Sequence, residues 1–159
     1  MHDALPSASA SAMALPPPFE RLTPAPRPLR IAMVTSRPPL PMTRADQMTV
    51  AHWLSFLAAR GHRVELFVLY DAPVAPAAQA WLARHCAAVH WFHRPRWRAL
   101  LGTFAGVASR LPLQVGLFND RRQGAALRAA AGRFDLIYVY YLRSAETVRG
   151  LHAPPRVLA

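Results

Sequence analysis

The residues best suited to chemistry sit where apolar runs give way to turns. RIAMVTS (30–36) is followed by Arg-Pro-Pro, and Thr43-Arg44-Ala45-Asp46-Gln47 then opens an amphipathic stretch. Thr43 and Asp46 have the spacing of a capping box, which predicts a helix N-terminus here. Such an end carries unpaired N–H groups and the positive end of the helix dipole. Both favour an anion, most often a phosphate. Arg44 either adds a bidentate contact to that anion or is solvated while Asp46 merely caps, and the residue types leave both open. Neither GxGxxG nor GxxxxGK followed by Ser or Thr occurs, so no dinucleotide or P-loop site is expected.

Other candidates are weaker. Asp71 follows the run RVELFVLY (63–70) alone and reads as a turn residue, and no paired carboxylates suggest a glycosidase dyad. His85, His90 and His93 raise the question of a metal. His90 and His93, three apart on an expected strand, point to opposite faces, and no metal site is expected. Cys86 is the sole cysteine, which excludes an intramolecular disulfide and a CxxC motif and leaves a small apolar filler. Residues 84–133 hold nine Arg and one acid, with Trp91, Phe92 and Trp97 interleaved among Arg94, Arg96 and Arg98. That mixture suits a peripheral surface for anionic lipid headgroups. A core-facing aromatic stripe with solvated arginines is the reading set against it. No helix-turn-helix, RNP or zinc signature accompanies the charge, so a nucleic-acid partner is not expected.

The elements that must position these residues follow from periodicity. The chain has 159 residues, enough for about one domain. Its net charge is +11, and every basic residue is Arg. Hydrophobic residues make up 53%, but 30 of them are Ala, so this figure overstates the core. Ten of the 16 prolines lie within residues 1–41, and residues 1–28 are small, polar or Pro, as expected of a disordered tail. A secretory signal would need a basic start and an apolar stretch; the start here is His2-Asp3 and the stretch is SASASAMAL. A cytoplasmic chain is therefore expected.

From Leu29 onward, strands are predicted at 30–36, 63–70, 88–93 and 135–141, with RVLA (156–159) opening another. Helices are predicted from Thr43 to a stop at Gly61, over 76–86 and 96–111, from an Asn119-Asp120 cap to Ala131, and over 144–151. The alternation implies an α/β fold: a Rossmann-like, doubly wound parallel sheet with helices on both faces. Ligands bind beyond the carboxyl ends of such strands, which points to the residues after Ser36, Tyr70 and Tyr141.

The stretch LRIAMVTSRPPLPMTRADQMTVAHWLSFLAARGHRVELFVLYD resembles the start of a GT-B-fold glycosyltransferase of family 4. There a first strand ends in a proline-bearing loop, a Gly-Asp-Gln-like or Gly-Gly-like turn opens the first helix, and Gly-His-x-Val leads into the second strand. LPLQVGLFNDRRQGAALRAAAGRFDLIYVYYLRSA is similar to the same enzymes, especially bacterial exopolysaccharide transferases, including those accompanying the exosortase system. The resemblance covers residues 29–159. It implies a retaining, metal-independent transferase with two Rossmann-like domains, moving a sugar from a nucleotide-sugar donor to a polysaccharide or lipid-linked acceptor. This stretch would be the N-terminal, acceptor-side domain, incomplete at its C-terminal end and inactive alone, since the Glu-x7-Glu motif of the donor domain is missing. By the same resemblance, Arg44, Ala45, Asp46 and Gln47 form the turn against the donor phosphates. Ala45 stands where many relatives have Gly. Tyr141, Leu142 and Arg143 match the strand end that lines the interdomain cleft, and Ser36, at the end of the first predicted strand, is expected to line it too. An enzyme of this kind would work in the cytoplasm, at the inner face of the membrane. A non-catalytic Rossmann-like binding module is the alternative.

Overall fold

The computed structural model describes residues 27–95 and 120–158. Five strands run parallel: β1 (Arg30–Thr35), β2 (Arg63–Tyr70), β3 (Ala88–His93), β4 (Leu136–Val139) and β5 (Arg156–Leu158). Their order in the sheet is β3-β2-β1-β4-β5. Val34 on the central strand pairs with Phe67 on one side and Val139 on the other. The near-continuous apolar runs of β1 and β2 are those of strands buried on both faces.

Side-chain alternation divides the core into two layers. On one face Ile31, Met33, Val64, Leu66 and Val68 pack with Val50 and Leu54 of α1 (Ala45–Ala59) and Leu82 of α2 (Pro76–His85). On the other, Ala32, Val34, Phe67, Ile137 and Val139 pack with Leu127 of α3 (Arg121–Ala130) and with Phe134, Val148 and Leu151. This is the Rossmann-like, doubly wound α/β sheet expected from the alternation. The strand order reverses about β1, which puts a crevice beyond the carboxyl ends of the strands.

Local chemistry sets the element ends. Gly61 stops α1 at φ 78°, where its N–H donates to Ala58 O (2.9 Å) and the His62 N–H to Leu57 O (3.0 Å). These are the two bonds of a Schellman motif. Asp120 caps α3, its carboxylate accepting from the N–H groups of Arg122 and Gln123.

The expected capping box at Thr43 does not form. α1 begins one residue later, with Arg44 at the N-cap and no side-chain cap. The Thr43 hydroxyl instead donates to Gln47 Oε1 (3.0 Å), and Asp46 Oδ1 accepts from the Gln47 N–H (3.1 Å). β4 ends at Val139 rather than Tyr141, because Tyr141 takes φ 74° and turns the chain into a 3-10 segment, Leu142–Val148, where an α-helix over 144–151 was expected. The segment takes seven of the ten residues between β4 and Gly150, a short connector of the kind in which 3-10 geometry occurs. The helix predicted at 96–111 lies outside the described residues, as does nearly all of the predicted tail. Arg27, at the tail's end, is engaged: its guanidinium donates to Asp135 Oδ1 (2.8 Å).

Candidate functional site

At the carboxyl ends of β1 and β2 lies a pocket of about 510 Å³. The loop after β1 supplies Ser36, Arg37 and Pro38; the loop after β2 supplies Asp71 to Ala75; the start of α1 supplies Arg44 and Gln47. Arg94, just past β3, completes it. The sheet therefore brings together three residues expected from the sequence, Ser36, Arg44 and Gln47.

Gln47 is a fixture of the wall. Its side-chain amide donates to Pro38 O (3.0 Å) while its oxygen accepts from Thr43, so it locks the proline loop to the helix start. Asp46 faces inward to the protein: besides holding the Gln47 N–H, it pairs with Arg37 (Nε to Oδ2, 3.3 Å). That carboxylate places a negative charge at the dipole's positive end, where a ligand anion was expected. Ala45 is the first helical residue, and its carbonyl accepts from the Thr49 hydroxyl (2.9 Å). Cationic character at the pocket comes from guanidinium groups more than from free amides.

Arg94 was expected to face outward, toward either a membrane or solvent, and it does neither: it is 6% exposed. Its N–H donates to Tyr70 O (2.8 Å), continuing the β2–β3 ladder. The pleat that puts Trp91 and His93 on the α1/α2 face sends Arg94 to the other side, toward the start of α3. Burial lowers its pKa and the nearby Asp120 carboxylate opposes that shift. Arg96, Trp97 and Arg98 lie outside the described residues. No helix among the described residues is long and apolar enough to cross a membrane.

Gln123 went unnoticed in the sequence. It is fully buried, and its amide nitrogen donates to Thr35 O (3.2 Å) and Phe67 O (3.0 Å). It thereby ties the ends of β1 and β2 beneath the pocket to the first turn of α3. The signal was present: Asp120-x-x-Gln123 has capping-box spacing, though here the glutamine side chain reaches the sheet instead of the cap.

The end of β4 stands apart from this pocket. Tyr141 is 44% exposed and its ring meets Tyr140 edge-on at 4.9 Å. Its positive φ, rare for a bulky residue, is the kind of local strain that concentrates at functional sites. Arg143 belongs to the 3-10 segment that follows.

The histidines have structural partners. His90 Nε2 lies 2.9 Å from Glu65 Oε2, which also accepts from Arg133, and its ring stacks on Phe67. His85 stacks on Trp81. Among the described residues no group of three or more His, Cys, Asp or Glu is placed to hold a metal. Cys86 sits in the α1/α2-side core, where burial pushes its thiol pKa up to about 12. A protonated thiol of this kind packs as an apolar group and is no nucleophile.

The pocket combines guanidinium groups, one exposed carboxylate and a rigid polar wall on an apolar base. It is able to hold an anionic group beside hydroxyl-bearing chemistry. No protein-family model matches this chain, and a search of curated proteins returns no match.

Proposed function

We propose that this chain is the acceptor-side half of a retaining glycosyltransferase, moving a sugar from a nucleotide-sugar donor to a polysaccharide or lipid-linked acceptor. One observation carries the reading: the pocket with Arg44 and Arg94 opens at the carboxyl ends of the strands in an all-parallel Rossmann-like sheet. Breaking the glycosidic bond of a nucleotide sugar builds charge on a leaving diphosphate, and fixed cations beside it lower that barrier. In this reading Arg44 supplies the charge, because the Gln47 backbone N–H is already held by Asp46. The acceptor hydroxyl needs chiefly to be held in place, a task for the rigid Ser36–Gln47 wall. The motif pattern over residues 29–159 supports the same assignment.

The test is phosphorus and proton NMR of the 159-residue chain with UDP-glucose and GDP-mannose. The diphosphate resonances should broaden with the natural chain and sharpen again with Arg44→Ala. No response to either nucleotide sugar refutes the assignment. A second reading, a non-catalytic binding module, is favoured by the Asp46 carboxylate closing the start of α1. It expects no diphosphate response at all.

A further inference from the structure

A second hollow, about 530 Å³, adjoins the first and shares Tyr70 and the loop 71–74 with it. Its remaining walls are Gln79, Trp91 and His93. We propose that this hollow binds one hexopyranose unit of a neutral glycan, so that the acceptor is an oligosaccharide spanning both pockets. The inference rests on the transferase reading and adds to it the class of acceptor.

Strand register assembles the aromatic part. Val68 pairs with Trp91 and Tyr70 with His93, so Tyr70, Trp91 and His93 emerge together on the α1/α2 face at the carboxyl end of the sheet. The Tyr70 and Trp91 rings lie 5.8 Å apart at 87°, and Tyr70 and His93 are 5.1 Å apart. Perpendicular rings form a corner. A nucleobase favours a slot between parallel faces, whereas the C–H face of a pyranose needs only one aromatic wall.

Polar groups at the rim complete the match. Asp71 is exposed beside the rings, and the Gln79 amide is held in place by donating to Val74 O (2.9 Å). A carboxylate and an amide read sugar hydroxyls laterally while the ring packs on the aromatic face. An alkyl chain would leave both groups facing hydrocarbon, a cost that disfavours lipid. Asp71 borders both pockets, but the arginines that offset its charge line only the first, which disfavours a nucleotide diphosphate in this hollow.

The test follows the Trp91 indole N–H by nitrogen-15 NMR in the 159-residue chain, its resonance assigned by its loss in Trp91→Phe. Cellotetraose, maltotetraose, a mannan tetrasaccharide and UDP are titrated separately. At least one tetrasaccharide should shift the Trp91 signal, and Trp91→Ala should weaken its binding about tenfold. Asp71→Ala, at an exposed position that does not threaten folding, should weaken it severalfold. Tetrasaccharide binding with Trp91 silent and both variants unaffected overturns the subsite while leaving sugar transfer standing. A Trp91 shift with UDP alone, or with no probe, also overturns it. The diphosphate response lost in Arg44→Ala reports separately on the transferase reading.

Discussion

Removing the Asp120 carboxylate separates two of its tasks. Its Oδ1 accepts from the N–H of Arg122 at 2.8 Å and of Gln123 at 3.3 Å, so Asp120→Ala strips the cap from α3. Losing such a cap costs about 1 kcal/mol. The pair with the half-exposed Arg122 adds little. The larger question is Arg94, whose buried guanidinium has Asp120 as a compensating charge. Removing one partner of a fully buried pair costs ~3–5 kcal/mol. Arg94 borders an open pocket, which reduces this to about 1–2 kcal/mol.

Asp120→Ala should therefore lose about 2–3 kcal/mol, or roughly 5–10 °C in Tm. Asp120→Asn keeps a competent cap and removes only the charge, so it should lose about 1–2 kcal/mol. Urea unfolding followed by circular dichroism measures both, with unchanged slopes licensing the comparison. A loss below about 0.5 kcal/mol for Asp120→Ala would refute the reasoning. So would equal losses for the two variants, since the charge and the cap would then not be separable contributions.

Gly61→Ala should cost about 1 kcal/mol in thermal unfolding: an added Cβ meets nothing within 4 Å, so only the positive φ is penalised. Cys86 should resist a disulfide reagent at pH 8 in the native state and react rapidly in urea. Its folded thiol stays protonated to about 12 against an ordinary 9.0, so the stability it contributes is intact below pH 9 and lost as pH rises toward 12. That alkaline loss should be smaller in Cys86→Ala. The Asp135 pKa is lowered by the hydrogen bond from the Arg30 N–H and then by Arg27. Its contribution is therefore present above the ordinary carboxylate pKa and lost as pH falls through the lowered value. The stability difference between the natural chain and Asp135→Asn should shrink below about pH 4.

Much of the fold was legible because its signals are local. RVELFVLY and AVHWFH became β2 and β3 with the expected boundaries, Gly61 stopped α1, and Asp120 capped α3. The misses arose where side chains had competing partners. Thr43 and Asp46 had the spacing of a capping box, yet Gln47 drew in Thr43's hydroxyl and Arg37 drew in Asp46. Arg94 read as surface charge because composition carries no information on which side of a strand's end a residue falls. Gln123 was missed because its two acceptors lie 88 and 56 residues away in the chain.

Periodicity, glycine and proline placement and the order of apolar runs were thus sufficient to specify a parallel α/β sheet, since each depends on backbone preferences within a few residues. Ser36, Arg44 and Gln47 were expected at the pocket, but what surrounds and engages them was decided by tertiary structure. Which arginine is buried, which amide is already taken and which aromatic rings meet at a corner depend on strand register and on helices packing from opposite faces. Those contacts join residues far apart in the chain, and their energies exist only once the sheet has closed.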